Sequence, residues 1–98
     1  MFLTADPLEM GGTAGSLTAL TSAFTSGNAA AAAPTTAVAP GQANETAMLL
    51  SAAFGTHGSL YQSMAAMASA WHGMFASAMG TSGASYAATE AFNVAATL

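Results

Sequence analysis

The sequence predicts an all-α protein in which two helices fold back on each other across a short connection. Three observations carry that expectation. Ile is absent and Val38 and Val94 are the sole β-branched apolar residues, a balance that favours helix over sheet. Large side chains recur in steps of three and four along two long stretches, the spacing of one helical face. Between them, residues 34–41 read Pro-Thr-Thr-Ala-Val-Ala-Pro-Gly, a breaker cluster of ordinary connection length. At 98 residues the chain has room for a single small domain.

The first helix is expected over about residues 7–33. Asp6-Pro7-Leu8-Glu9 reads as its start, with Asp6 at the cap, Pro7 at the first helical position and Glu9 three residues after the cap. Met10, Thr13, Leu17, Leu20, Phe24, Gly27 and Ala31 then fall on one thin stripe. Gly11 and Gly15 stand four apart, either to let another helix approach or as tolerated residues of low helix propensity. The prolines of 34–40 are expected to end this helix and turn the chain back.

The second helix is expected to begin between Pro40 and Glu45, over about 41–80, and carries the best periodicity: Leu50, Phe54, His57, Tyr61, Met64, Ala68, Trp71, Phe75 and Ala78. Leu60, Met67 and Met74 flank that stripe at seven-residue intervals. At 100° per residue the large side chains span about 160° of the circumference. The other side holds Ser51, Gly55, Ser59, Gln62, Ala66, Ser69, Gly73 and Ser77. Gly80-Thr81-Ser82-Gly83 reads as a C-terminal stop, leaving 81–98 as a flexible tail or a short helix. If helical, the tail presents Tyr86 and Glu90 side by side. The first helix is too thin to cover the wide face of the second, so the hairpin looks incomplete and a partner is the simplest remedy. The methionines of that face suit an adaptable interface and equally suit plain core filling.

The charged inventory excludes much chemistry. It consists of Asp6, Glu9, Glu45 and Glu90, with no Lys and no Arg, so neither nucleic-acid binding nor a cationic phosphate clamp is expected. Cysteine is absent, which removes disulfides, thiolate metal sites and cysteine catalysis. His57 and His72 stand ~22 Å apart on one helix and cannot share a metal. His57 reads as an interface or core imidazole and His72 as the edge of the apolar face. Gly83-Ala84-Ser85-Tyr86-Ala87 fails the nucleophile-elbow pattern at its last position, and the carboxylates are too scattered for an acid/base pair. No catalytic residue, metal or cofactor is expected. Asn44-Glu45-Thr46 matches a glycosylation sequon, but Glu45 is better explained as first-turn charge. Met1-Phe2-Leu3-Thr4 lacks the basic region of a cleavable signal peptide. The uncharged stretches are mostly Ala, Gly, Ser, Thr and Met, poor material for a membrane span.

Several segments in order resemble the mycobacterial PE family: Ala14-Gly15-Ser16-Leu17, the run from Asn28-Ala29 through Pro34-Thr35-Thr36 to Pro40, the His57–Gln62 stretch with Tyr61, His72-Gly73-Met74-Phe75, and Ser85-Tyr86-Ala87-Ala88-Thr89-Glu90-Ala91. The resemblance covers nearly the whole chain. It departs from the family at the eponymous Pro-Glu pair, since Pro7 is followed by Leu8 with the acid at Glu9. The chain is similar to short members made of the PE domain alone. The resemblance implies an antiparallel hairpin completing a four-helix bundle with a PPE-family protein. It also implies assembly in the cytoplasm and export by type VII (ESX) machinery to the cell surface, the envelope or the medium. The family's signal Y-x-x-x-D/E matches Tyr86 and Glu90. A secretion chaperone is expected on the PPE subunit, and membrane contact after export stays open. The expected partner interface is Leu17, Leu20, Phe24, Leu50, Phe54, His57, Leu60, Tyr61, Met64, Met67, Trp71, Met74 and Phe75. The competing expectation is a membrane-active or membrane-embedded hairpin.

Overall fold

The computed structural model describes residues 4–97. It is an antiparallel helical hairpin of α1 (Pro7–Thr36) and α2 (Glu45–Ala96). The start of α1 follows the sequence signal. Asp6 Oδ1 accepts the backbone N–H of Leu8 at 2.9 Å and of Glu9 at 3.3 Å, satisfying two donors that the first turn leaves without helical partners.

Three boundaries sharpen or shift the expectation. α1 runs through Pro34 to Thr36 instead of stopping at 33. A proline this close to a helix end sacrifices one late hydrogen bond and keeps a helical φ. The Ala37 N–H still reaches the Ala33 carbonyl at 3.0 Å. The hydroxyls of Thr35 and Thr36 donate back to the Ala31 and Ala32 carbonyls, each at 2.7 Å. α2 begins at Glu45, the far end of the expected range, because Asn44 is the cap: its Oδ1 accepts the Ala47 N–H at 2.9 Å. The third difference is the largest. Gly80-Thr81-Ser82-Gly83 does not end α2, which continues to Ala96, so the stretch expected as a flexible tail or a short helix is a continuation of α2 as far as Ala96. No described glycine has a positive φ, and the left-handed stop read from Gly80 and Gly83 is absent there.

The described chain falls into two compact units, one of residues up to Thr21 with those from Trp71 onward, the other Ser22–Ala70. In the first, Gly83 lies against the start of α1. A Cβ there would meet the Pro7 carbonyl oxygen at 3.1 Å and Met10 Cβ at 3.2 Å. Gly83 is therefore a point of close approach, and Ala76 is buried at 7% exposure. In the second unit, a Cβ on Gly55 would stand 2.9 Å from the Thr36 carbonyl oxygen, and one on Gly58 would collide with the Thr35 carbonyl. Ala65 is buried at 6% exposure. The Ser51 hydroxyl donates to the Val38 carbonyl, tying the connection to α2.

The seam is thus built from small residues. In the second unit it holds Ser51, Gly55, Gly58, Gln62, Ala65 and Ser69, and in the first His72, Ala76, Gly80 and Gly83, all buried or half-buried. Ser59, Ala66, Gly73 and Ser77, which the sequence placed with the small side, are exposed. His72 lies on this seam and not at the edge of the apolar face. On α1 the half-buried positions include Met10, Ala14, Leu17 and Thr21 in the first unit and Phe24, Asn28, Ala31 and Thr36 in the second. Thr13, Leu20 and Gly27 from the expected stripe are exposed. A Cβ added at Gly11 or Gly15 would meet nothing within 4 Å, so the close approach that requires glycine is made at Gly55, Gly58 and Gly83 instead.

Gly58→Ala is expected to destabilise the chain by ~1–3 kcal/mol, because the Thr35 backbone must move. Gly73→Ala, where an added Cβ meets nothing within 4 Å, should stabilise it by up to ~1 kcal/mol. Urea unfolding followed by circular dichroism measures both, and equal effects would contradict the seam.

Candidate partner-binding face

Because α1 packs on the small side, it leaves the large side chains of α2 uncovered. The Leu50–Phe75 stripe lies about 100° round the helix from the seam, and Leu60, Met67 and Met74 lie about 160–200° away. In the second unit Leu50, Phe54, His57, Leu60, Tyr61, Met64 and Met67 are all exposed, as are Trp71, Met74 and Phe75 in the first. Trp71 stands at 69% exposure. The α1 residues expected on the same surface divide. Leu20 is exposed, whereas Leu17 and Phe24 are half-buried on the stripe that faces α2. Exposed Met48, Leu49, Phe92 and Val94 were not singled out from the sequence, because they fall outside the three-and-four repeat.

Polar groups tie the second unit across the seam. The Tyr61 hydroxyl donates to Asn28 Oδ1 at 3.0 Å, and Gln62 Nε2 donates to the Asn28 carbonyl at 3.1 Å. Thr25 Oγ1 and Ser69 Oγ stand 3.3 Å apart. Asn28 was legible only as part of a resemblance, since a lone Asn before an alanine run has no signal in spacing.

At the tip, residues 38–44 and the first turns of α2 line an open cavity of about 620 Å³, with Val38, Pro40, Leu50 and Phe54 as its apolar wall. Among the described residues no three His, Asp or Glu side chains come together as a metal-binding group. No helix of the described residues is long and apolar enough to cross a membrane.

Beyond Gly83, every described residue from Ala84 to Thr97 is exposed. Tyr86 and Glu90 lie four apart on this helical stretch and so share a face.

A model of the PE family matches residues 3–93. The chain belongs to the PE family. It is 42% identical over 95 residues to the PE family protein PE13 of Mycobacterium tuberculosis, covering 97% of this chain and 96% of PE13. It is 41% identical over 92 residues to PE8 of the same organism, covering 94% of this chain but 34% of PE8. This PE chain thus spans nearly all of one relative and about a third of another. PE membership implies the general role of secreted PE–PPE proteins, which are secreted or envelope-associated.

The exposure of Trp71 separates folding from surface chemistry. Trp71→Ala is expected to change the unfolding free energy of this PE chain by no more than ~0.5 kcal/mol, while lowering the binding of an apolar fluorescent dye. A loss of ~3 kcal/mol or more, the usual result of truncating a buried aromatic, would show that Trp71 is a core residue instead.

Proposed function

We propose that this chain is a non-catalytic subunit that pairs one-to-one with a PPE-family protein through the large apolar face of α2. The observation that carries the reading is that face itself. Nine large side chains from Leu50 to Phe75 stay exposed because the hairpin closes on its small side. Monomeric proteins rarely leave such apolar patches open, and covering each half-exposed Leu, Met or Phe contributes roughly 1 kcal/mol. Two PPE helices on this face complete a four-helix bundle with a normal core. Partner charges are not needed to form it, since the stripe contains no carboxylate and its only titratable side chains are His57 and Tyr61.

In this reading the complex is exported by type VII (ESX) machinery, with Tyr86 and Glu90 as the address and a chaperone on the PPE subunit. Their position supports it: both are exposed residues of α2 beyond Gly83, the point where it lies against the start of α1. One ring to fill a pocket and one carboxylate to meet a basic group form a compact recognition spot.

Co-expression with PPE-family proteins is expected to convert a poorly soluble chain into a soluble, highly helical heterodimer. A well-behaved monomer that ignores every PPE protein, or one that partitions into carbonate-washed membranes instead, would sink the reading. Tyr86→Ala and Glu90→Ala should leave the heterodimer and its helicity intact while sharply reducing export, with Glu90→Asp largely tolerated. The secreted fraction of each variant, set against its intracellular level, decides this. Normal secretion of both alanine variants would remove the address from these residues.

A further inference from the structure

Tyr61 stands apart from the other large residues of the exposed face. It is one position before Gln62, a seam residue, so it lies at the border between the seam and the open surface. Its hydroxyl crosses to α1 and donates to Asn28 Oδ1 at 3.0 Å. The same Asn28 accepts Gln62 Nε2 on its backbone carbonyl at 3.1 Å. Two successive residues of α2 are therefore held by one residue of α1, through its side chain and its main chain. That pair of bonds fixes both the level and the rotation of α2 against α1 at this point. Tyr61 is still 48% exposed, so its ring belongs to the outer surface although its oxygen is anchored inward.

A phenol has one proton to give. With that proton committed to Asn28, the Tyr61 oxygen retains only acceptor capacity. Of the residues a helical turn away on the same surface, Met64 has no strong donor, and the His57 imidazole makes no hydrogen bond to the phenol oxygen, whose bond is to Asn28. When a partner covers this face, an acceptor left unpaired loses its water without replacement, which is unfavourable. We propose that Asn28 is a positioning residue of the partner-binding face: it holds the Tyr61 ring over the helix seam and turns the phenol oxygen into an acceptor, so that the partner must bring a hydrogen-bond donor to that point. This rests on the pairing proposed above and adds a specificity element to it. A purely apolar surface discriminates poorly between apolar partners, whereas one buried acceptor rejects any partner that lacks a donor in register.

Asn28 Nδ2 is buried and without an acceptor, so the Oδ1 atom alone does the work described. An aspartate at the position keeps that acceptor, and a leucine removes it at similar volume. The test uses the heterodimer of the full chain with a PPE-family protein that co-purifies with it. Dissociation constants are measured for the wild type, Asn28→Leu, Asn28→Asp, Tyr61→Phe and the Asn28→Leu/Tyr61→Phe double variant. Helicity and thermal midpoint are recorded for each. Asn28→Leu and Tyr61→Phe should each weaken the complex by roughly tenfold, the size of one hydrogen bond. The double variant should also lose roughly tenfold and not a hundredfold, because both changes break the same link. Asn28→Asp should stay within about twofold of the wild type.

A merely structural Asn28 would weaken the Tyr61→Phe complex as much as it weakens the wild type. Such additive losses, or an Asn28→Asp variant as weak as Asn28→Leu, overturn this inference while leaving the pairing itself intact. A wild-type chain that pairs with no PPE-family protein overturns the pairing, and this inference with it.

Discussion

The close approach of the last turn of α1 to Gly55 and Gly58 is the constraint on which the surrounding structure depends. The carbonyls of Thr35 and Thr36 occupy the space where Cβ atoms would stand. Only glycine admits main chain at that distance. Helices that meet so closely interleave shallow ridges, and residues of the size of Ser, Ala and Gly fill the seam completely. Gly83 makes the corresponding contact in the other unit, against Pro7 and Met10. On the α2 side a seam of this kind has no room for Phe or Trp. The bulky residues are displaced to the flank and back of α2, and their exposure is a direct consequence of the thin packing.

That displacement links the fold to its use. A hairpin closed through its large side chains would be nearer to self-sufficient and would have little surface left to offer. Closed through its small ones, it keeps apolar bulk available. The hydrogen bonds around Asn28 supply what the small residues lack, because Gly and Ala surfaces slide over one another with little preference in register. Polar groups that must meet at set positions remove that freedom. The tie from Ser51 to the Val38 carbonyl does the same for the connection, where Asn44 also sets the first turn of α2. The charge distribution agrees with this division of labour. The carboxylates sit at the helix starts, as Asp6, Glu9 and Glu45, or far along α2 as Glu90, and the faces between them are left to apolar contact.

Much of this was legible in the residues. Asp6-Pro7 marked the start of α1, and the pattern from Leu50 to Phe75 marked one face of one helix. The seam was misplaced because periodicity reports which residues share a face, not which face a neighbour chooses. Large apolar side chains suggested the buried side, yet the interleaved set Ser51, Gly55, Gly58, Gln62, Ala65 and Ser69 has the same three-and-four spacing. Gly80 and Gly83 were misread for a related reason. Glycine serves both as a helix stop and as a point of close approach, and only a neighbour at 3.1 Å, with no positive φ, distinguishes the two.

The sequence by itself determined that the chain is helical, where its first helix is capped, that it lacks the groups for catalysis by thiol or cation, and which large residues travel together. These are local properties, set by propensity, capping and covalent spacing. Tertiary structure decided that α1 covers the small side of α2, that Pro34 and Gly83 lie within helices, and that Asn28 holds Tyr61. The packing of α1, the contact at Gly83 and the hold of Asn28 on Tyr61 depend on atoms about twenty to eighty positions apart in the chain meeting at a few ångströms, a distance that no local preference encodes.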